Sequence, residues 1–148
     1  MRINYGQVAP GAIKALNGLY AYHEREGEIE PKLRYLVELR VSQINGCAFC
    51  VDKHSEEARE VGETQQRLDC LPVWREVSFF DDRERAALEW AEAVTLIAQS
   101  HVPDDVYEQA RPHFNEKELV DLTLIVAAMN AWNRLAISFR KAPAPRQV

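Results

Sequence analysis

Residues 31–62, PKLRYLVELRVSQINGCAFCVDKHSEEAREVG, contain two helical patterns and the break between them. Leu33, Leu36, Val37, Val41 and Ile44 recur at the spacing of a helix with one apolar face. Pro31 stands at a favoured first-turn position, and Asn45-Gly46 supplies the stop. Cys47 follows at once and opens a second helix, to Val61, that is polar on much of its surface and ends at Gly62.

Outward from this pair the periodicity is helical nearly throughout, and no stretch alternates as a strand would. Towards the N-terminus, Pro10 to Glu26 carries Ile13, Leu16, Leu19 and Tyr20 on one side and is closed by Gly27. Beyond Gly62, a short helical stretch covers Thr64 to Glu76. Asp81 with Glu84 forms a capping-box pattern that opens a helix through Ala87, Trp90, Ala91, Val94 and Ile97. Pro103 to Arg111 reads as a brief helix closed by Pro112. Asn115 with Glu118 repeats the capping box before the longest segment, where Leu119, Leu122, Ile125, Met129, Trp132, Leu135 and Phe139 trace the spine of the core. The expectation is an all-α bundle of about six to seven helices with a loose, Pro-rich tail from Ala142 to Val148.

A chain of 148 residues, 47% hydrophobic and 28% charged, fits one globular domain over 1–148. Its net charge of -5 disfavours nucleic-acid binding, which draws on Lys and Arg neutralising phosphates. The longest apolar run, Leu124 to Met129, is far below the roughly 20 residues of a membrane span. The first residues, MRINYGQVAPGAIKALNG, are too polar for a signal-peptide core, so a cytoplasmic location is expected. Three cysteines, two of them close together, do not make a secreted disulfide framework. In a reducing compartment such a pair points to catalysis or metal binding.

The chemistry concentrates in Asn45-Gly-Cys-Ala-Phe-Cys-Val-Asp-Lys-His54. At about 100° per residue, Cys50 and His54 fall about 60° and 20° from Cys47 around a helix, so all three share one face. Cα atoms at i and i+3 stand roughly 5 to 6 Å apart, a separation a disulfide accepts. The helix start beneath Cys47 offers unpaired N–H groups that favour an anion. Lowering a thiol pKa from about 8.5 to about 6.5 raises the thiolate share at pH 7 from about 3% to about 75%. Local physics therefore gives Cys47 the helix terminus and gives Cys50 a base, His54, one turn on. On the preceding helix, Tyr35, Glu38, Ser42 and Asn45 form a second stripe that could face the sulfurs. Glu38 there could relay a proton to His54, and Tyr35 could bond a substrate oxygen.

Blander readings stand beside these. The cysteines could be small buried hydrophobes, or Cys47, Cys50 and His54 could hold a metal with Cys70 or another His as fourth ligand, although the usual second paired half-site is missing. No metal and no organic cofactor is expected, since neither a G-x-G-x-x-G nor a P-loop is present. Cys70 reads as packing, as do His23, His101 and His113 at the surface or in the core. Trp74, Trp90 and Trp132 read as core or interface aromatics, and Asn130 and Asn133 as loop caps.

LVELRVSQINGCAFCVDKHSEEAREVGETQQRL (36–68), DDRERAALEWAEAVT (81–95) and ELVDLTLIVAAMNAWNRLAISFR (118–140) together resemble the AhpD-like alkylhydroperoxidase branch of the carboxymuconolactone decarboxylase superfamily. The resemblance implies an all-α fold, trimers or hexamers, and thiol-dependent reduction of organic hydroperoxides. It also implies regeneration by an external dithiol of the lipoyl or thioredoxin kind. Carried over, Cys50 is the peroxidatic thiolate, Cys47 the resolving partner and His54 part of the proton relay, which reverses the order that the helix terminus alone favours. The chain departs from the pattern twice: Phe49 stands where family members carry a His, and Tyr35 where they carry a relay Glu, with Glu38 one turn later. The superfamily's decarboxylase or lactone chemistry, and a redox-sensing or metal-binding module without turnover, are the rival functions.

Overall fold

Prolines, glycines and short polar caps fix where each helix begins and ends. The computed structural model describes residues 1–146. It contains α1 (Tyr5–Val8), α2 (Pro10–Arg25), α3 (Pro31–Asn45), α4 (Ala48–Glu60), α5 (Gln65–Cys70), α6 (Asp82–Thr95), α7 (Ile97–Ser100), α8 (Asp104–Ala110) and α9 (Glu116–Ser138). A 3-10 segment, Leu71–Glu76, follows α5, and no strand forms among the described residues. Both capping boxes are made: the Asp81 and Asn115 side chains accept the backbone N–H groups of Glu84 and Glu118, whose side chains reach back to the cap N–H groups.

The all-α expectation holds, with boundaries within about two residues. The two extra helices, α1 and α7, span 4 residues each, too short for a helical repeat to show. The helix expected to run through Ile97 stops instead at Thr95, where Leu96 leaves helical geometry (φ -95°, ψ 33°). Leu96 and Ile97 are consequently exposed rather than buried. The Thr64–Glu76 stretch changes from α to 3-10 at Leu71, next to Pro72, whose missing N–H cannot extend the α ladder. The expected apolar side of α2 is only half-buried, and His23 is that helix's one buried residue.

α9 is the spine. Its Leu122, Ile125, Val126 and Met129 pack with Val37 and Val41 of α3 and Ala87 and Ala91 of α6, and both Cys47 and Cys50 join this cluster. A second cluster, with Leu36, Leu39, Ala58, Leu68, Leu71 and Leu88, covers the other side of α3. Burying each such Leu contributes about 1.5–3 kcal/mol. Because α3 is enclosed on two sides, even its polar Glu38 and Ser42 are taken out of water. No described helix is long and apolar enough to cross a membrane.

The tail expected to be loose is irregular over residues 142–146 but tethered: Arg146 pairs with Asp52 (3.0 Å) and Glu56 (3.1 Å) on α4. The rest of that expectation, Gln147 and Val148, lies outside the described residues.

Candidate active site

At the end of α3 the chain must reverse within two residues. Gly46 takes a left-handed conformation (φ 72°), where a side chain is strained, and the Cys47 N–H returns to the Ser42 carbonyl at 3.0 Å. Cys47 is then the N-cap of α4, with its Sγ accepting the Cys50 N–H at 3.3 Å, the role a Ser or Asp side chain usually fills. The two Cα atoms are 5.3 Å apart and the sulfurs are paired as a disulfide. The spacing argument is thus met in space. Both cysteines are buried, yet they differ in access: Cys50 lines a cavity of about 610 Å³, and Cys47 does not.

One turn beyond Cys50, His54 also lines this cavity. Its Nδ1 lies 2.8 Å from Glu57 Oε2 and 3.3 Å from Glu38 Oε2, so one imidazole is held between two carboxylates. The two carboxylates differ in environment. Burial drives the Glu38 carboxyl up to about 7, against the pull of His54 and Arg34 towards the charged form. Burial also acts to raise Glu57, but contacts with His54 and Lys53 outweigh it and hold Glu57 down to about 2. Glu38 can therefore exchange a proton near neutrality, and Glu57 is a fixed anion. These three residues are also close enough to share a metal ion, their donor atoms lying within 4.8 Å of one another.

The cavity has a volume of about 610 Å³ and an aromatic wall that includes Tyr20, Tyr35, Phe49 and Trp132. Tyr35 lines this cavity, and its hydroxyl accepts a hydrogen bond from Arg34 at 3.0 Å. Lys141 stands over the Phe49 ring at 3.9 Å, where the family pattern has a His.

The stripe on α3 divides in two. Tyr35 and Glu38 reach the site, whereas Ser42 and Asn45 do not. Asn45 donates to Asn133 (2.8 Å) and Asn130 (3.0 Å), and Asn133 donates to Ser42 (3.1 Å). Asn130 and Asn133 thus tie α9 to the last turns of α3 instead of capping a loop. The metal set imagined from Cys47, Cys50, His54 and Cys70 is not assembled, and the grouped donors are Glu38, His54 and Glu57. Cys70 is a free, half-buried thiol on α5, away from the cavity lining. Two site residues escaped the sequence reading. Glu57 sits at i+3 from His54 and was discoverable by that spacing, but so many acidic neighbours (Glu56, Glu60, Glu63) share the segment that spacing alone did not rank it. Arg34, one turn before Glu38, had no signal of its own.

The carboxymuconolactone decarboxylase family model matches residues 10–93. The uncharacterized protein YdfG of Bacillus subtilis strain 168 is 43% identical over 137 residues, covering 93% of this chain and 92% of that one. The uncharacterized protein YnjA of Escherichia coli K12 is 32% identical over 106 residues, covering 72% of this chain and 58% of that one. Among solved structures, ATU0492 of Agrobacterium tumefaciens, a protein of unknown function with a suggested antioxidant defence role as AhpD, superposes with a TM-score of 0.92 at 43% identity, covering 97% of this chain and 99% of that one.

Proposed function

The chain belongs to the carboxymuconolactone decarboxylase superfamily, in its AhpD-like branch, and on that premise we propose that it is a thiol-dependent peroxidase acting on organic hydroperoxides. The observation that carries this reading is the unequal access of the two cysteines: Cys50 opens onto the cavity beside His54, with Cys47 behind it at disulfide range.

In the forward half-cycle the Cys50 thiolate attacks the terminal peroxide oxygen. The O–O bond breaks, Cys50 becomes a sulfenic acid, and the alkoxide leaves as alcohol after taking a proton. His54 delivers that proton, replenished through Glu38, which titrates near neutrality, while Glu57 orients the imidazole. The Cys47 thiol then condenses with the sulfenic acid and releases water, giving the disulfide. Two electrons and two protons from an external dithiol return both thiols by exchange. Glu38 takes over the relay position that Tyr35 vacates, and Tyr35 serves as a cavity-wall donor.

The test is stoichiometric. One equivalent of an organic hydroperoxide added to reduced protein should remove the Cys47 and Cys50 thiols together and leave Cys70. An unchanged thiol count, or hydroperoxide consumption that survives Cys50→Ser, overturns the reading.

A further inference from the structure

A buried charge without a partner is costly, so an unpaired buried cation beside a cavity marks a place where a ligand supplies the missing anion. Arg34 has that property. It is 8% exposed, and among the described residues its Nε is buried without a hydrogen-bond partner and its one side-chain hydrogen bond goes to the Tyr35 hydroxyl. Other guanidinium groups of low exposure are neutralised: Arg40 by Glu92 at 2.8 Å, and Arg67 by Glu63 at 2.7 Å and by Glu84. The nearest candidate counter-charge on the same helix, Glu38, faces His54 and is held largely protonated below neutrality by its burial.

Arg34 lines the same cavity as Cys50, and so does Lys141, whose ammonium rests on the Phe49 ring and forms no ion pair among the described residues. Of the acids there, Glu57 is already engaged by Lys53 and His54, and Glu24 is exposed. Tyr20, Phe49, Met129 and Trp132 give the wall a large apolar and aromatic part, and Asn4 and Asn17 are neutral polar members of it. Trp132 Nε1 adds a buried donor with no partner among the described residues. Anion acceptors and an unpaired N–H set in an aromatic wall describe the complement of an amphiphilic acid. A volume of about 610 Å³ suits a molecule of moderate size.

We propose that the cavity selects organic hydroperoxides bearing a carboxylate, with Arg34 binding the carboxylate and the aromatic wall holding the apolar body so that the peroxide meets Cys50. This rests on the peroxidase reading for its chemistry, though not for its binding. Arg34 is a binding residue in this scheme, and the redox step is the one already written.

Binding without turnover separates the two claims. Isothermal titration of the disulfide form at pH 6, where Glu38 is still largely protonated and simple carboxylic acids are ionised, compares octanoate with 1-octanol and 3-phenylpropanoate with 3-phenylpropanol, so that the pairs also distinguish aliphatic from aromatic acids. The acid of at least one pair should bind about tenfold or more tightly than its alcohol, equivalent to about 1.4 kcal/mol. Arg34→Gln should bring that ratio close to one, and Arg34→Lys should retain part of it. Equal binding of acid and alcohol in both pairs, or an acid preference unchanged in Arg34→Gln, overturns the proposal. Should Arg34→Gln fail to fold, the wild-type ratios and Arg34→Lys still decide it. Carboxylate binding through Arg34 with no thiol loss to any hydroperoxide sustains the site and sinks the peroxidase. Reduction of cumene hydroperoxide with no acid preference does the opposite.

Discussion

Glu38→Gln replaces a carboxyl that is 1% exposed and raised from 4.5 to about 7 by burial with an amide of the same shape that cannot ionise. Between those two pH values the folded protein holds a proton that the unfolded chain has released. The protons bound by the unfolded state minus those of the native state is therefore negative, and stability falls as pH rises. The contribution is fully present below about pH 4.5 and is lost as pH climbs through about 7. A shift of about 2.5 units at about 1.36 kcal/mol each gives a loss of about 3 kcal/mol. Glu57 has the opposite sign, being held down to about 2, so its contribution is lost only as pH falls below about 4.5 and leaves the window from pH 5 to 8 clear. Urea unfolding of the oxidised protein at pH 5, 6, 7 and 8 supplies the assay, with the disulfide intact throughout. Groups common to both proteins cancel in the difference. Relative to Glu38→Gln, the wild type should lose about 2.5 kcal/mol of this across the series, the rest being already gone at pH 5, or about 1.7 M in urea midpoint at a slope of about 1.5 kcal/mol/M. Two stability profiles running parallel from pH 5 to 8 would refute the assignment of a buried, neutral-range carboxyl to Glu38.

The same titration should appear in kinetics, because Glu38 can take up the Cys50 thiol proton through His54, before returning it to the alkoxide, only when its own carboxyl is ionised: the rate of Cys50 oxidation by a hydroperoxide rises through about pH 7, and Glu38→Gln abolishes that limb when followed by stopped-flow. Cys47→Ser should halt the cycle at the sulfenic acid, seen as one dimedone adduct by mass spectrometry, and Cys50→Ser should yield none. Gly46→Ala should cost about 1–2 kcal/mol through its left-handed φ of 72° alone, because an added Cβ meets nothing within 4 Å, and calorimetry should record a lowered Tm. Exposed Ile3, Val8, Leu96, Ile97 and Val120 are expected to be covered by neighbouring copies, so sedimentation should give a trimer or hexamer, and a monomer at working concentration counts against that.

What the sequence revealed was local. Pro31, Gly46, Asp81 with Glu84 and Asn115 with Glu118 fix helix ends through contacts within four residues, and each stands where its pattern placed it. The Cys50 and His54 face is likewise a property of a single helix, with Cys47 just outside it as the N-cap in extended geometry. What stayed hidden depends on distant partners. Asn45 meets Asn130 and Asn133 across 85 and 88 residues of chain, and no periodicity reports such a pairing. The apolar stripe on α3 implied one covered face, whereas the cluster around Leu68, Leu71 and Leu88 covers another, and α4 sets His54 against the buried Glu38. Helix spacing found Glu38, but only packing gave it a neutral-range carboxyl.

On the proposed cycle the two sulfurs divide the labour in the order opposite to the one that the helix terminus alone favours. The helix terminus does favour negative charge at Cys47, whose Sγ accepts the Cys50 N–H, but that bond also turns Cys47 into a structural cap behind the cavity wall. On the proposed cycle its benefit falls in the second half-reaction. A reductant entering through the cavity reaches Cys50 first and forms the mixed disulfide there, so Cys47 is the sulfur that departs. Thiols of lower pKa depart faster. The charge-stabilising site at the start of α4 thus speeds regeneration, and attack on the peroxide depends on what surrounds Cys50: His54, its two carboxylates, and an opening wide enough to admit the substrate.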